Sequence, residues 1–140
     1  MRSLGIMVVF LFAFFSDHAQ VKIAAAARGK ELTDTTARLK LFEYRDGTYG
    51  FTYQNVLSQK PDPSTIIFRN RAEASSFILD IKKAFDLGEG NISKVNYGNA
   101  RISLIPTSNG SVFMRVEKKG AKISALEINR LTFRQINILQ

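Results

Sequence analysis

Residues 42–53, with the sequence FEYRDGTYGFTY, carry five aromatic side chains around one Asp-Gly pair. An Asp-Gly pair between residues that favour strands is the strongest short-range signal of a β-hairpin. A two-residue turn at Asp46 and Gly47 places Tyr44 opposite Tyr49. Because side chains alternate between the two faces of a strand, this register puts all five rings on one face. The hairpin therefore needs another element to cover its rings.

A helix over residues 70–88 is predicted to provide that cover. Asn70 can cap its start, the carboxylate of Glu73 can bond back to the cap, and Gly88 can end it. Its apolar side chains recur at the spacing i, i+3, i+4, i+7 and i+11, which is typical of one face of a helix. They are Ala74, Phe77, Ile78, Ile81 and Phe85.

Strands are predicted on both sides of this helix. Before it, the segment Thr65–Arg69 has the composition of a short strand near a sheet edge. After it, a turn at Gly98 and Asn99 and a three-residue loop at Ser108–Gly110 connect further strands. The three-residue loop is favoured because it brings the apolar residues of both strands to one face.

The C-terminal region is predicted to be a second helix that begins at about Ser124. Ser124 and Glu127 fit a capping box, and Ile123 and Ile128 fit a hydrophobic staple around it. Apolar and polar residues alternate loosely over the last ten positions, which could instead form a strand. The sequence thus predicts an α+β fold: an antiparallel sheet of five to six strands in the order β-β-β-α-β-β-β-α. One long helix and a C-terminal helix pack on one face of that sheet.

The N-terminus has the features of an export signal. Arg2 precedes an unbroken apolar run over Leu4–Phe15, which is too short to span a bilayer, since spanning takes about 20 residues. We predict a signal peptide over residues 1–19, with cleavage near Ala19, and therefore a secreted or periplasmic protein. The alternative is an uncleaved segment that anchors the protein to a membrane.

The rest of the chain is predicted to form a flexible N-terminal arm over residues 20–37 and a single α+β domain over residues 38–140. Cleavage near residue 19 would remove His18, the only histidine, and the chain contains no cysteine. Disulfides are therefore absent, and stability must come from a packed core.

The lack of His and Cys in the predicted mature chain argues against an enzyme. The common nucleophile–base pairs and metal–imidazole sites need these residues, and no catalytic motif is present. We therefore expect no catalytic residues, no bound metal and no cofactor. A minor alternative is a glycoside hydrolase in which the fold brings two carboxylates together, for example Glu43 and Asp62.

The net charge of +8 favours an acidic partner, although it also keeps a small domain soluble. The densest group of basic residues is near the C-terminus, and we take it as the candidate polyanion-binding site. It comprises Lys118, Lys119, Lys122, Arg130 and Arg134. Tyr53, near the open end of the first hairpin, is the candidate exposed aromatic residue.

These observations predict a small exported binding domain without catalytic machinery. Its partner would be a protein or a polyanionic surface, with no membrane span after cleavage of the signal. The alternative is a domain that binds single-stranded nucleic acid or another polyanion on a basic, partly aromatic sheet surface.

Overall fold

The computed structural model describes residues 29–33 and 39–136. The predicted signal peptide and the predicted cleavage site lie outside these residues. The described chain forms two successive units, each of four strands followed by a helix. The first unit consists of β1 (Gly29–Glu31), β2 (Leu39–Tyr44), β3 (Tyr49–Gln54), β4 (Pro63–Phe68) and α1 (Arg71–Leu87). The second consists of β5 (Ser93–Tyr97), β6 (Ala100–Pro106), β7 (Val112–Lys118), β8 (Ser124–Ile128) and α2 (Arg130–Ile136).

Each unit contributes its own antiparallel sheet, with strand orders β1-β2-β3-β4 and β5-β6-β7-β8. The predicted α+β class with antiparallel strands is confirmed. The prediction of one sheet of five to six strands is wrong, because the described chain contains two sheets of four strands each. The strands missed are β1, which lies inside the predicted arm, and β8, which lies where a helix was predicted.

The first hairpin has a different register from the one predicted. The backbone N–H of Tyr44 donates to the carbonyl of Thr48 at 2.9 Å, which closes a three-residue loop rather than a two-residue turn. Gly47 occupies the left-handed position of that loop, with φ of 84°. Leu41 consequently pairs with Phe51.

This shift of one residue divides the aromatic cluster. Tyr49, Phe51 and Tyr53 face the core together with Leu39 and Leu41. Phe42 and Tyr44 lie on the opposite face of the sheet. The prediction that all five rings share one face is therefore wrong. Both registers give a strongly apolar face, so alternation alone could not distinguish them.

The second hairpin has the predicted register. Leu104 pairs with Met114 across the three-residue loop Ser108–Gly110, and Tyr97 pairs with Ala100 across the preceding turn. The N–H of Thr107 donates to the carbonyl of Ser111 at 2.9 Å, as the N–H of Tyr44 does in the first hairpin. The two units therefore use the same type of hairpin loop.

Helix α1 has the predicted caps. The side chain of Asn70 accepts a hydrogen bond from the N–H of Glu73 at 2.9 Å. The Glu73 carboxylate bonds back one residue earlier than expected, to the N–H of Arg69 at 2.8 Å, and pairs with its guanidinium at 2.7 Å. The helix ends before Gly88, and Ala74, Phe77, Ile78 and Ile81 are buried.

The predicted helix from Ser124 is instead strand β8. Its backbone pairs with β7, and the hydroxyl of Ser124 bonds to the buried Tyr53 hydroxyl at 2.7 Å instead of capping a helix. Helix α2 begins only after Asn129, whose side chain accepts from the N–H of Thr132 at 2.8 Å. Tertiary packing thus overrides a local helix signal.

One hydrophobic core joins the two units. Helix α1 packs mainly against β5 and β6 of the second sheet, and α2 lies against β2 of the first. The rings of Phe51 and Phe68 from the first sheet meet those of Phe77 and Tyr97, with centroids 5.2–5.3 Å apart. Helix α1 therefore covers parts of both sheets, and α2 adds cover to the first.

Neither described helix is long and apolar enough to cross a membrane.

Candidate nucleic-acid interface

The predicted basic cluster is divided by strand β8. Lys118, Lys119 and Lys122 lie at the β7–β8 turn, whereas Arg130 and Arg134 lie on α2 beyond the other end of β8. A strand of five residues spans about 16 Å. The five side chains therefore form two separate groups.

Two of these cations make contacts within the fold. The Lys118 ammonium donates to the carbonyl of Thr65 in β4, and burial lowers the pKa of Lys118. The guanidinium carbon of Arg130 lies 5.3 Å from the ring centroid of Phe85, within range of a cation–π contact. Lys119, Lys122 and Arg134 are exposed.

Tyr53 is not an exposed aromatic residue. Its side chain is only 1% exposed, and its hydroxyl bonds to Ser124 at 2.7 Å. Burial raises the pKa of Tyr53. The prediction is wrong because β8 covers the end of β3, where the hairpin was expected to be open.

The outer face of the first sheet carries two aromatic rings. Phe42 and Tyr44 stack with centroids 6.5 Å apart and an interplanar angle of 15°. Tyr44 lies over Gly50, where a β-carbon would come within 2.6 Å of its Oη. Burial raises the pKa of Tyr44, whose hydroxyl has no hydrogen-bond partner among the described residues. Because the Tyr44 hydroxyl is buried, Phe42 and Tyr44 offer a ligand few accessible hydrogen-bonding groups.

The outer face of the second sheet combines cations with apolar side chains. Strand alternation places ten side chains on it. Four of them are Asn96, Glu117, Ala125 and Glu127, and we call the other six the basic sheet face. They are Lys94 of β5, Arg101, Ser103 and Ile105 of β6, and Phe113 and Arg115 of β7. Its three cations are exposed, and Phe113 and Ile105 are half-buried.

Cross-strand pairing fixes the layout of the basic sheet face. Ser103 pairs with Arg115, and Ile105 pairs with Phe113. Side chains that are paired across the strands form one row, so the Arg115 guanidinium and the Phe113 ring belong to neighbouring rows. Rows two residues apart are separated by about 6.6 Å along a strand. Arg115 pairs with Glu117 at 3.1 Å, which leaves Lys94 and Arg101 without an ion pair among the described residues.

A flat face with this composition can bind a flexible polyanion. The accessible part of the half-buried Phe113 ring offers a surface on which a base stacks, and the nearby cations attract phosphates. The predicted register of the second hairpin already placed Arg101 on this face. The same register places Phe113 and Arg115 there, so strand alternation is the sequence signal that could have identified them.

The described residues provide no support for the carboxylate pair. Glu43 pairs with Tyr49 at the start of β3, whereas Asp62 is bonded to Asn55 just beyond its end. The length of β3 separates them by about 17 Å, and glycosidase pairs are about 5–9.5 Å apart. Among the described residues, no group of three or more His, Cys, Asp or Glu side chains could hold a metal ion.

Comparison with known proteins gives this chain no relative: no family model, curated protein or solved structure matches it.

Proposed function

We propose that the protein is a non-catalytic binding domain that holds single-stranded nucleic acid on the basic sheet face. Single-stranded nucleic acid was the alternative that the sequence offered beside a protein or a polyanionic surface. The observation that carries it is the exposed Arg115 on β7 beside Phe113, with exposed Lys94 on β5 and exposed Arg101 on β6.

The charge and the ring favour an unpaired strand over a duplex. Stacking on Phe113 requires a base whose flat face is accessible, and each stacked base contributes about 1–3 kcal/mol. The cations neutralise phosphates whatever the base sequence is. Phe113 therefore selects for single strands, and Lys94, Arg101 and Arg115 supply affinity that falls with salt.

The test is fluorescence anisotropy with a labelled single-stranded 12-mer, a duplex of equal length and a sulfated polysaccharide. Phe113→Ala is expected to weaken single-strand binding about tenfold, within the range of one lost stacking contact. Arg115→Gln should reduce the slope of log affinity against log salt by about 0.7, the value for one phosphate contact to a single strand.

Arg134→Gln is the matched control, because it removes one exposed cation from α2 rather than from the sheet. Equal losses in Arg115→Gln and Arg134→Gln would mean that net charge alone drives binding. Tight binding of the polysaccharide with unchanged affinity in Phe113→Ala would assign the face to general polyanions. Absence of any oligonucleotide binding would overturn the proposal.

We also propose that the domain acts after export, on the strength of the apolar run over Leu4–Phe15. The mass of the N-terminal peptide from producing cells tests this. A mature chain that begins near Gln20 is expected. A product that retains Met1 and remains in the cytosol would contradict export.

A further inference from the structure

A cleft of about 450 Å³ opens beside β8, the edge strand of the second sheet. Residues of the β3–β4 connection, between Asn55 and Asp62, form one wall, and Lys122 and Ile123 form the other. Ligand sites commonly enclose about 300–1,000 Å³. The cleft is therefore large enough for one small planar group.

Asn55 holds the cleft in a fixed shape. Its buried side-chain oxygen accepts from the N–H of Leu57 at 3.1 Å and from the N–H of Ala125 at 2.9 Å. Its amide nitrogen donates to Oδ2 of Asp62 at 3.0 Å. The N–H of Val56 adds a bond to the carbonyl of Ala125 at 2.9 Å. The walls are thus joined by hydrogen bonds before any ligand arrives.

The cleft presents both apolar and polar groups. Leu57 and Ile123 are exposed by 57% and 39%, so each wall of the cleft presents an apolar side chain. Oδ1 of Asp62 makes no hydrogen bond to another described residue, and Asn55 donates only one of its two amide protons. Lys122 forms no ion pair within the described part of the chain.

The cleft adjoins the basic sheet face. Arg115 pairs with Ala125 in β8, and Ala125 bonds in turn to Asn55 and Val56. Neighbouring strands are about 4.8 Å apart, so the cleft begins about 10 Å from the backbone of Arg115. A single-stranded nucleic acid that crosses the sheet from Arg115 over Ala125 would therefore reach the cleft.

We propose that the cleft takes one unstacked nucleobase of the bound strand and selects bases that carry an exocyclic amino group. This inference rests on the proposed function. The base lies between Leu57 and Ile123, and its amino group donates to the Asp62 carboxylate. Lys122 contacts the adjoining phosphate.

The selection follows from the chemistry of Asp62. An ionised carboxylate is an acceptor only, so it pairs with the amino group of cytosine. Uracil presents a carbonyl oxygen at the corresponding position, and two acceptors repel each other. The spare amide proton of Asn55 can reach the ring acceptor beside the amino group of cytosine.

The test compares 12-mers of deoxycytidine and deoxyuridine, which differ at this edge and have rings of equal size. We expect the deoxycytidine 12-mer to bind about tenfold more tightly, because a good side-chain–base pair gives discrimination of this order. In Asp62→Asn, the side-chain oxygen can still accept the hydrogen bond from Asn55. An NH₂ group, which is a donor, then replaces the Oδ1 acceptor in the cleft. This substitution should abolish or reverse the preference without weakening deoxyuridine binding.

Asp86→Asn on the exposed side of α1 is the control, because it removes the same charge away from the cleft. Equal binding of both 12-mers, or a preference that survives Asp62→Asn, overturns the cleft inference and leaves the proposed function intact. If neither 12-mer binds, the proposed function fails. Titration of free cytidine and uridine monophosphates, followed by the NMR signals of the Asn55 amide, then decides the cleft alone: selective shifts with cytidine support it, and no selective shift overturns it.

Discussion

Gly50 shows how a single position shapes the first sheet. It is buried beneath the ring of Tyr44, which could not lie there above a larger residue. The side chain of Phe42 stacks beside that ring. A glycine inside a strand is often a site of close approach, and here the approaching group is a side chain of the neighbouring strand.

Gly50→Ala is predicted to lower the free energy of unfolding by about 1–3 kcal/mol, because the added methyl group overlaps Tyr44. Urea denaturation measures this change. In a Tyr44→Ala background the same substitution should cost little, since the overlapping ring is gone. An equal loss in both backgrounds would show that the Tyr44 ring is not the cause.

Tyr97 links the core to α1 and gives the protein a dependence on alkaline pH. Its hydroxyl donates to Asp80 at 2.5 Å. Burial, and then this hydrogen bond, raise the pKa of Tyr97 from 10.0 to about 12. The neutral phenol is therefore favoured in the folded state, and its stabilising effect is complete below pH 10.0 and is lost towards about pH 12.

We predict that stability falls over this pH window and that the fall is shallower in Tyr97→Phe. Urea denaturation at about pH 8 and about pH 11 measures both slopes. The absorbance of tyrosinate gives an independent check, because Tyr97→Phe should remove a component that titrates with a pKa of about 12. Identical slopes in the two proteins would exclude Tyr97 as the source.

At the scale of elements, the connection between β3 and β4 and strand β8 are joined through Asn55. This side chain satisfies the N–H groups of Leu57 and Ala125 from two different segments. Together with the bond between Tyr53 and Ser124, it keeps residues 124–128 extended although their local sequence favours a helix start.

Asn55→Ala is predicted to lower the free energy of unfolding by about 2–4 kcal/mol, because it leaves the buried N–H of Ala125 and the part-buried N–H of Leu57 without their acceptor. Asn96→Ala, at an exposed position of β5, is the control and should change stability by no more than about 0.5 kcal/mol. Thermal or urea denaturation distinguishes them. Similar losses in the two variants would show that Asn55 does not hold these segments together.

At the scale of the whole molecule, the two units depend on each other. Helix α1 belongs to the first unit but packs mainly on the second sheet, and α2 lies on the first. Each sheet would lose apolar cover if its partner unit were removed, and a sheet with an exposed apolar face is not stable alone.

We predict that the halves do not fold separately. A chain that ends at Gly88 and one that begins at Glu89 should each lack a cooperative unfolding transition, whereas the whole protein should unfold in one step. Circular dichroism and calorimetry measure this. When mixed, the two halves should regain part of the native signal. Cooperative unfolding of either half alone would contradict this mutual dependence of the two units.

The sequence by itself determined the elements whose signals are local. The caps and apolar stripe of α1 and the register of the second hairpin follow from residue spacing, turn chemistry and a single apolar face. The register of the first hairpin and the strand β8 were decided only by tertiary structure. For the first hairpin, two alternative faces between Leu39 and Tyr53 were similarly apolar. For β8, a capping signal at Ser124 was outweighed by the pairing with β7 and by the bonds to Tyr53 and Asn55.

The same division applies to the candidate site. Alternation along β6 and β7 was sufficient to place Arg101 and Phe113 on one face, because that register was determined locally. The cleft could not be predicted, since its walls come from segments about 60 residues apart that meet only when Asn55 bonds to Ala125. Long-range hydrogen bonds of this kind leave no periodic trace in a sequence, so only the folded chain reveals them.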